Sequence, residues 1–194
     1  MFYRNYVKRF IDMLASALVL LIGCIPMLII ALIVKVTSPG PVFFKQRRYG
    51  LNSEPFNMYK FRSMSEQAPE RANQDFADMD EYITPFGNFL RKTSIDELPQ
   101  LINVFIGKMS LIGPRPLADT DRKVLDLRRE FGADQVRPGI TGLAQVNGRN
   151  NITDVEKAAY DTEYAKEVTA RNDFAIVIQT IVKVVKQTDI NHES

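Results

Sequence analysis

Two adjacent carboxylates, Asp96 and Glu97, lie in the stretch of this chain densest in reactive and cationic side chains, RKTSIDELPQLINVFIGKMSLIGPRP over 91–116. Adjacent acids among so many cations make this stretch the first candidate for a reactive site. Their spacing also fits plain structure, because Ser94 and Glu97 match a capping box and acids favour a first helical turn. Pro99 falls beyond the first turn of a helix capped by Ser94. It fits a helix that starts later, with both acids at its mouth.

Four arginine-bearing turns accompany the pair. Arg91 precedes it, Arg115 stands between Pro114 and Pro116, Arg137 opens RPG, and Arg149 lies in NGRN at 147–150. Arginine donates bidentate hydrogen bonds to phosphate oxygens, and rigid turns limit the entropy lost in aiming it. One such turn is ordinary structure. Four within about 60 residues, beside paired carboxylates, point to a polyanionic substrate.

Composition narrows the chemistry. The single cysteine, Cys24, excludes an intrachain disulfide and a cysteine zinc cluster. The single histidine, His192, belongs to a polar tail, which argues against histidine catalysis. Net charge is only +2 across 194 residues, so a nucleic-acid partner is not expected.

Positioning begins with residues 13–34, which hold no charge and consist mainly of Leu, Ile, Val and Met. As a straight helix they would reach about 33 Å, enough to cross a hydrocarbon core. The run exceeds a signal-peptide core, and no small-residue cleavage site follows it. Pro26 and Gly23 weaken its middle. A kinked span and a helix–break–helix that turns back both fit these residues, and basic residues on both flanks favour the second.

Beyond the turn at 38–41, residues 42–44 and 56–61 have strand character, and 65–84 read as a polar loop. Short helices are expected over 98–105, 119–131 and 155–166, the second with a solvated, alternating-charge surface. Apolar residues at 174, 177, 178, 181, 184 and 185 share one helical face, suited to the core or to a membrane surface.

The motifs KRFID (8–12), SPGPVFFKQRRYG (38–50), YKFRSM (59–64), SIDELPQLINV (94–104), SLIGPRPL (110–117) and VRPGITGLAQVNGRN (136–150) occur in this order. In that combination the chain resembles the monotopic phosphoglycosyl transferases, the bacterial sugar transferase family, in its small form. The resemblance implies an α+β protein. Residues 1–36 would be a re-entrant membrane helix with a basic flank. Residues 37–194 would be a mostly helical cytoplasmic catalytic domain with a small β element and surface amphipathic helices.

It also implies transfer of a phosphosugar from a UDP-sugar to polyprenol phosphate, with release of UMP, at the cytoplasmic face of the bacterial inner membrane, as the first membrane step of surface-glycan assembly. Asp96 would be the nucleophile that forms an aspartyl-phosphosugar, Glu97 its assistant, and Mg2+ the cofactor with Asp96 near it. Arg149 corresponds to a nucleotide-sugar position, Arg91 to one near the lipid phosphate, and Arg115 is a third candidate for substrate binding. Membrane lipids are expected partners, and a homodimer is left open. Two departures stand out: the bend carries Cys24-Ile25-Pro26 in place of Ser-Pro, and Lys108 replaces a frequent Asp. The second leaves room for a non-catalytic membrane adaptor.

Re-entry makes a topological prediction. Tags before Met1 and after Ser194 should both be accessible only from the cytoplasmic side; an externally accessible N-terminus would establish a conventional span.

Overall fold

The computed structural model describes residues 2–68, 79–148 and 152–186. The N-terminal apolar run folds as two helices. A π-helical turn, Tyr3–Val7, leads into α1, Lys8–Ile22, and α2 spans Cys24–Thr37. Their axes bend by 64° at Gly23. No single described helix is long and apolar enough to cross a membrane.

The break has a local cause. Pro26 has no N–H to give the carbonyl of Ile22, and its ring crowds that carbonyl, so the helix cannot continue through position 22 undistorted. The chain yields one residue later, at Gly23, where an added Cβ would sit 2.8 Å from the carbonyl oxygen of Val19. Pro26 itself lies in the first turn of α2, where a missing donor costs little.

α1 is inverted relative to the helix of a soluble domain. Its buried residues are Lys8, Asp12 and Ser16, at every fourth position, while Phe10, Leu14, Leu18, Leu21 and Ile22 are exposed. The polar stripe is fully engaged. Asp173 Oδ2 accepts from Lys8 Nζ at 2.8 Å and from the Tyr3 hydroxyl at 2.7 Å; its Oδ1 accepts from the Tyr164 hydroxyl at 2.7 Å. Asp12 accepts from the backbone N–H of Leu111 at 3.0 Å, and Ser16 donates to the carbonyl of Asp12 at 2.6 Å.

The remainder is α+β and mostly helical, as expected, with two small sheets among the described residues where one β element was expected. Strands β1, Phe43–Tyr49, and β2, Pro55–Phe61, form an antiparallel hairpin running from Phe43↔Phe61 to Tyr49↔Pro55. Then come α3, Pro85–Lys92, and α4, Gln100–Phe105. β3, Ser110–Ile112, pairs in parallel with β4, Gly139–Thr141, in segments whose turns alone were legible. Between them lies α5, Arg122–Phe131; after them come α6, Leu143–Asn147, α7, Asp154–Lys166, and α8, Ala170–Lys186. Phe56 and Met58 of β2 pack on Val104 and Met109, and Val34, Phe61 and Leu90 join α2, β2 and α3.

Two helical expectations need correction. The capping box at Ser94 and Glu97 does not form: Ser94 takes a left-handed conformation (φ 55°) with no side-chain cap, and the described capping box is instead Thr153 with Glu156 on α7. Nor is α5 merely a solvated face. Val124, Leu125 and Arg128 are buried, and Arg128 Nε donates to Asp161 Oδ2 at 2.8 Å. Burial raises the Asp161 carboxyl above its ordinary range, against the pull of Arg128. The pair arises because α5 and α7 pack together through Leu117, Val124, Leu125 and Ala158. On α8, Ile176 enters the core, whereas Phe174, Ile178, Ile181, Val182 and Val184 face outward.

The junction at Asp173 is a stability determinant. Asp173→Ala strands a buried ammonium and should cost about 3–5 kcal/mol, lowering Tm by about 2–4 °C per kcal/mol. Asp173→Asn, which keeps one acceptor oxygen at the junction, should lose less. An unchanged Tm in Asp173→Ala would show that the junction contributes nothing.

Candidate active site

The dyad is set by a tight sequence of turns. Thr84 accepts from the backbone N–H of Gly87 at 2.9 Å and, with Pro85 in the first turn, starts α3. α3 is thereby placed with Arg91 in its last turn. Ser94, at φ 55°, then reverses the chain, a conformation costly for a non-glycine residue and concentrated at functional sites. A 3-10 turn, Ile95–Glu97, follows at once, and α4 opens behind the buried Pro99. Asp96 and Glu97 therefore stand at the mouth of α4, as the position of Pro99 suggested.

Asp96 is buried, 7% exposed. Burial raises its carboxyl above the ordinary range; Lys60 opposes that, the Glu97 charge adds to it, and Arg91 opposes it. Glu97 is half-buried, and its Oε1 accepts from Lys60 Nζ at 2.7 Å. Lys60 comes from the end of β2, one residue before the buried Phe61. Strand alternation and the register Phe44↔Lys60, Gln46↔Met58 and Arg48↔Phe56 put Gln46, Arg48 and Lys60 on one face of the hairpin.

Arg48 extends the cationic wall. Its Nη2 and Nε donate to Gln46 Oε1 at 2.7 and 3.2 Å. Burial and then the charge of Arg115 push its guanidinium below its usual value, while Asp121 and Glu97 act the other way. Arg115 itself is exposed between the buried Pro114 and Pro116, so the loop is anchored and its arginine projects. Arg128 Nη1 fixes that loop by donating to the carbonyl of Arg115 at 2.9 Å.

Arg91, Asp96 and Glu97 thus meet at one place, and Arg115 joins them through Arg48. Arg149 lies outside the described residues, as does His192. Lys60 and Arg48 were not singled out from sequence, where they are two cations among many in a basic stretch. The alternation of the 56–61 strand was the available signal; the pairing that aims Lys60 at Glu97 is tertiary. Lys108 is exposed on the turn after α4, at the other end of that helix from Asp96. The charges that act on Asp96 are Lys60, Glu97 and Arg91.

The donor set suits a hard cation of the magnesium type. Two adjacent carboxylates supply anionic oxygen, and no group of three His, Cys, Asp or Glu side chains converges among the described residues. Most ligands would then come from phosphate and water, the usual arrangement for such an ion.

Comparison with known proteins identifies the family of the chain. A family model described as bacterial sugar transferase matches residues 3–187. A UDP-glucose:undecaprenyl-phosphate glucose-1-phosphate transferase of Escherichia coli (strain K12) is 40% identical over 183 residues, covering 91% of this chain and 39% of that protein. One of the same name from Caulobacter vibrioides is 40% identical over 183 residues, covering 90% and 68%. The exopolysaccharide production protein ExoY of Rhizobium meliloti is 37% identical over 192 residues, covering 91% and 84%. The chain thus spans about two-fifths of the length of the first of these relatives and most of the length of the last. With the matched region running from the start of the bent helix pair to the end of α8, the chain belongs to the bacterial sugar transferase family.

Proposed function

We propose that this chain transfers a phosphosugar from a UDP-sugar to polyprenol phosphate and releases UMP. The observation that carries this reading is the buried Asp96 carboxyl, set beside Glu97 and Lys60 at the mouth of α4 and flanked by Arg91. Relatives named for glucose-1-phosphate transfer to undecaprenyl phosphate support the substrate classes and make UDP-glucose the first donor to test.

In this mechanism a carboxylate oxygen of Asp96 attacks the β-phosphorus of the donor. A P–O bond to Asp96 forms as the P–O bond to UMP breaks. An oxygen of the lipid phosphate then attacks the same phosphorus and restores the free carboxylate. Two displacements replace one difficult transfer. Lys60 holds Glu97 at one edge of the dyad and, with Arg91, favours the ionised form of Asp96. Glu97 positions the acceptor or takes a proton from it. Arg91 and Arg115 bind phosphate oxygens, and Arg149 the nucleotide-sugar. Mg2+, held by Asp96 with Glu97 beside it, would neutralise charge on the phosphoryl oxygens.

Domains follow the same reading. Residues 1–36 enter the cytoplasmic leaflet and turn back at Gly23, and residues 37–194 form the catalytic domain at the membrane surface. An apolar exterior around a buried polar stripe on α1 supports insertion, since a patch of this extent is rarely left to water. The outward apolar residues of α8 add a second surface for lipid.

Asp96→Asn should lower UMP release by more than about a thousandfold, the scale of losing a covalent nucleophile, while membrane association persists. Full turnover in that variant would overturn the assignment. The pH profile provides a second test. Asp96 acts as its anion, and its carboxyl is held above the ordinary value of about 3.9, so activity should fall with acidification at a pH above that value. Lys60→Met removes a charge that lowers this pKa, so the acid limb should move to higher pH. A limb that stays put would separate Lys60 from the nucleophile.

A further inference from the structure

A cavity of about 230 Å³ lies against the N-terminal turn and the start of α1, and neither Asp96 nor Glu97 lines it. Arg4, Lys8, Arg9 and Arg137 line it, with Asp12 as the acid among the lining residues. The lysine charge is committed to Asp173, and Asp12 accepts from the backbone of Leu111. Three guanidiniums therefore face one cavity against a single carboxylate.

Backbone carbonyls hold each guanidinium in place without neutralising it. Arg9 donates to the carbonyls of Val104 and Phe105, both at 2.6 Å, Arg137 Nε to Gly107 at 2.9 Å, and Arg4 to Gln135 at 2.6 Å. A guanidinium has five N–H groups, so each keeps donors beyond these bonds. Burial and then the charges of Arg9 and Arg4, partly countered by Asp12, push the Arg137 guanidinium below its usual value. Closure of the α4 carbonyl end accounts for Arg9, but Arg4 bonds a different segment and still lines the same cavity. A preorganised, like-charged, fork-shaped donor set is what recognises phosphate.

We propose that this cavity binds a phosphate group, with Arg4, Arg9 and Arg137 as its donors, separately from the site at Asp96. An anionic phospholipid headgroup and a free phosphate share this chemistry. The headgroup source rests on the membrane reading above, since Arg4 and Arg9 flank the start of the exposed apolar face of α1.

The test uses the full chain in detergent, carrying Arg115→Gln to weaken the site around Asp96. Line broadening of 31P resonances is followed during titration with inorganic phosphate and, separately, with dihexanoyl phosphatidylglycerol, at constant ionic strength. Saturable binding is expected. It should weaken at least about tenfold, the scale of one lost charge-assisted contact, when Arg4→Gln and Arg137→Gln are combined. Lys123→Gln on α5 should change nothing. Binding of both probes makes phosphate sufficient; binding of the lipid alone identifies a headgroup site. No saturable binding of either probe, or unchanged affinity in the double variant, overturns the proposal. If Arg137→Gln does not fold, Arg4→Gln alone must still weaken binding. No donor sugar is present, so the outcome is independent of whether Asp96 is the nucleophile.

Discussion

The carboxylate of Asp173 is the point on which the arrangement turns. It accepts from Lys8 and Tyr3 at the start of the apolar helix pair and from Tyr164 on α7, while lying on α8 itself. A buried carboxylate with three donors is stable only where all three arrive together, so this junction fixes the angle at which α1 leaves the domain. The neighbouring bond from Leu111 to Asp12 ties α1 to β3. Tyr164 also donates to the carbonyl of Ile112, at the end of β3. Burial, then Asp173, holds its phenol protonated well beyond neutral pH. These bonds connect the helix pair to the strand that leads directly into the Arg115 loop.

A second buried ion pair supports the other side of the site. Arg128 and Asp161 join α5 to α7, and the same guanidinium holds the Arg115 carbonyl. Arginine suits this task because its planar fork serves the carboxylate and the carbonyl at once. The exposed guanidinium of Arg115 is thus carried on a loop whose backbone is fixed from inside. Asp96 is held by comparable means, with a left-handed Ser94 before it and a buried Pro99 after it.

The charge balance of the dyad is deliberate in its asymmetry. Glu97 is paired with Lys60, whereas Asp96 is buried and its carboxyl raised. Two adjacent acids in different surroundings can take different roles.

Much was legible in the sequence because it depends on local chemistry. The uncharged run over 13–34, the break imposed by Pro26, the position of Asp96 and Glu97 at the mouth of a short helix, and the strand over 56–61 follow from short-range rules. So does the family resemblance, since it rests on ordered motifs. By contrast, β1 runs on to Tyr49 past the expected 42–44 because its pairing with β2 extends it. Other features belong to the tertiary structure because they join distant segments. The polar stripe of Lys8, Asp12 and Ser16 looks like a break in an apolar pattern until α8 and β3 supply its partners. Ser94 satisfies the spacing of a capping box, yet the reversal between α3 and α4 forces it into a left-handed turn instead. Arg128 reads as one charge on a solvated helix until Asp161, 33 residues away, meets it in the core. The sequence by itself determined the ordered motifs and the apolar run; only packing decided that Lys60 would face Glu97, because a strand's own alternation says which side a lysine takes and not what lies across from it.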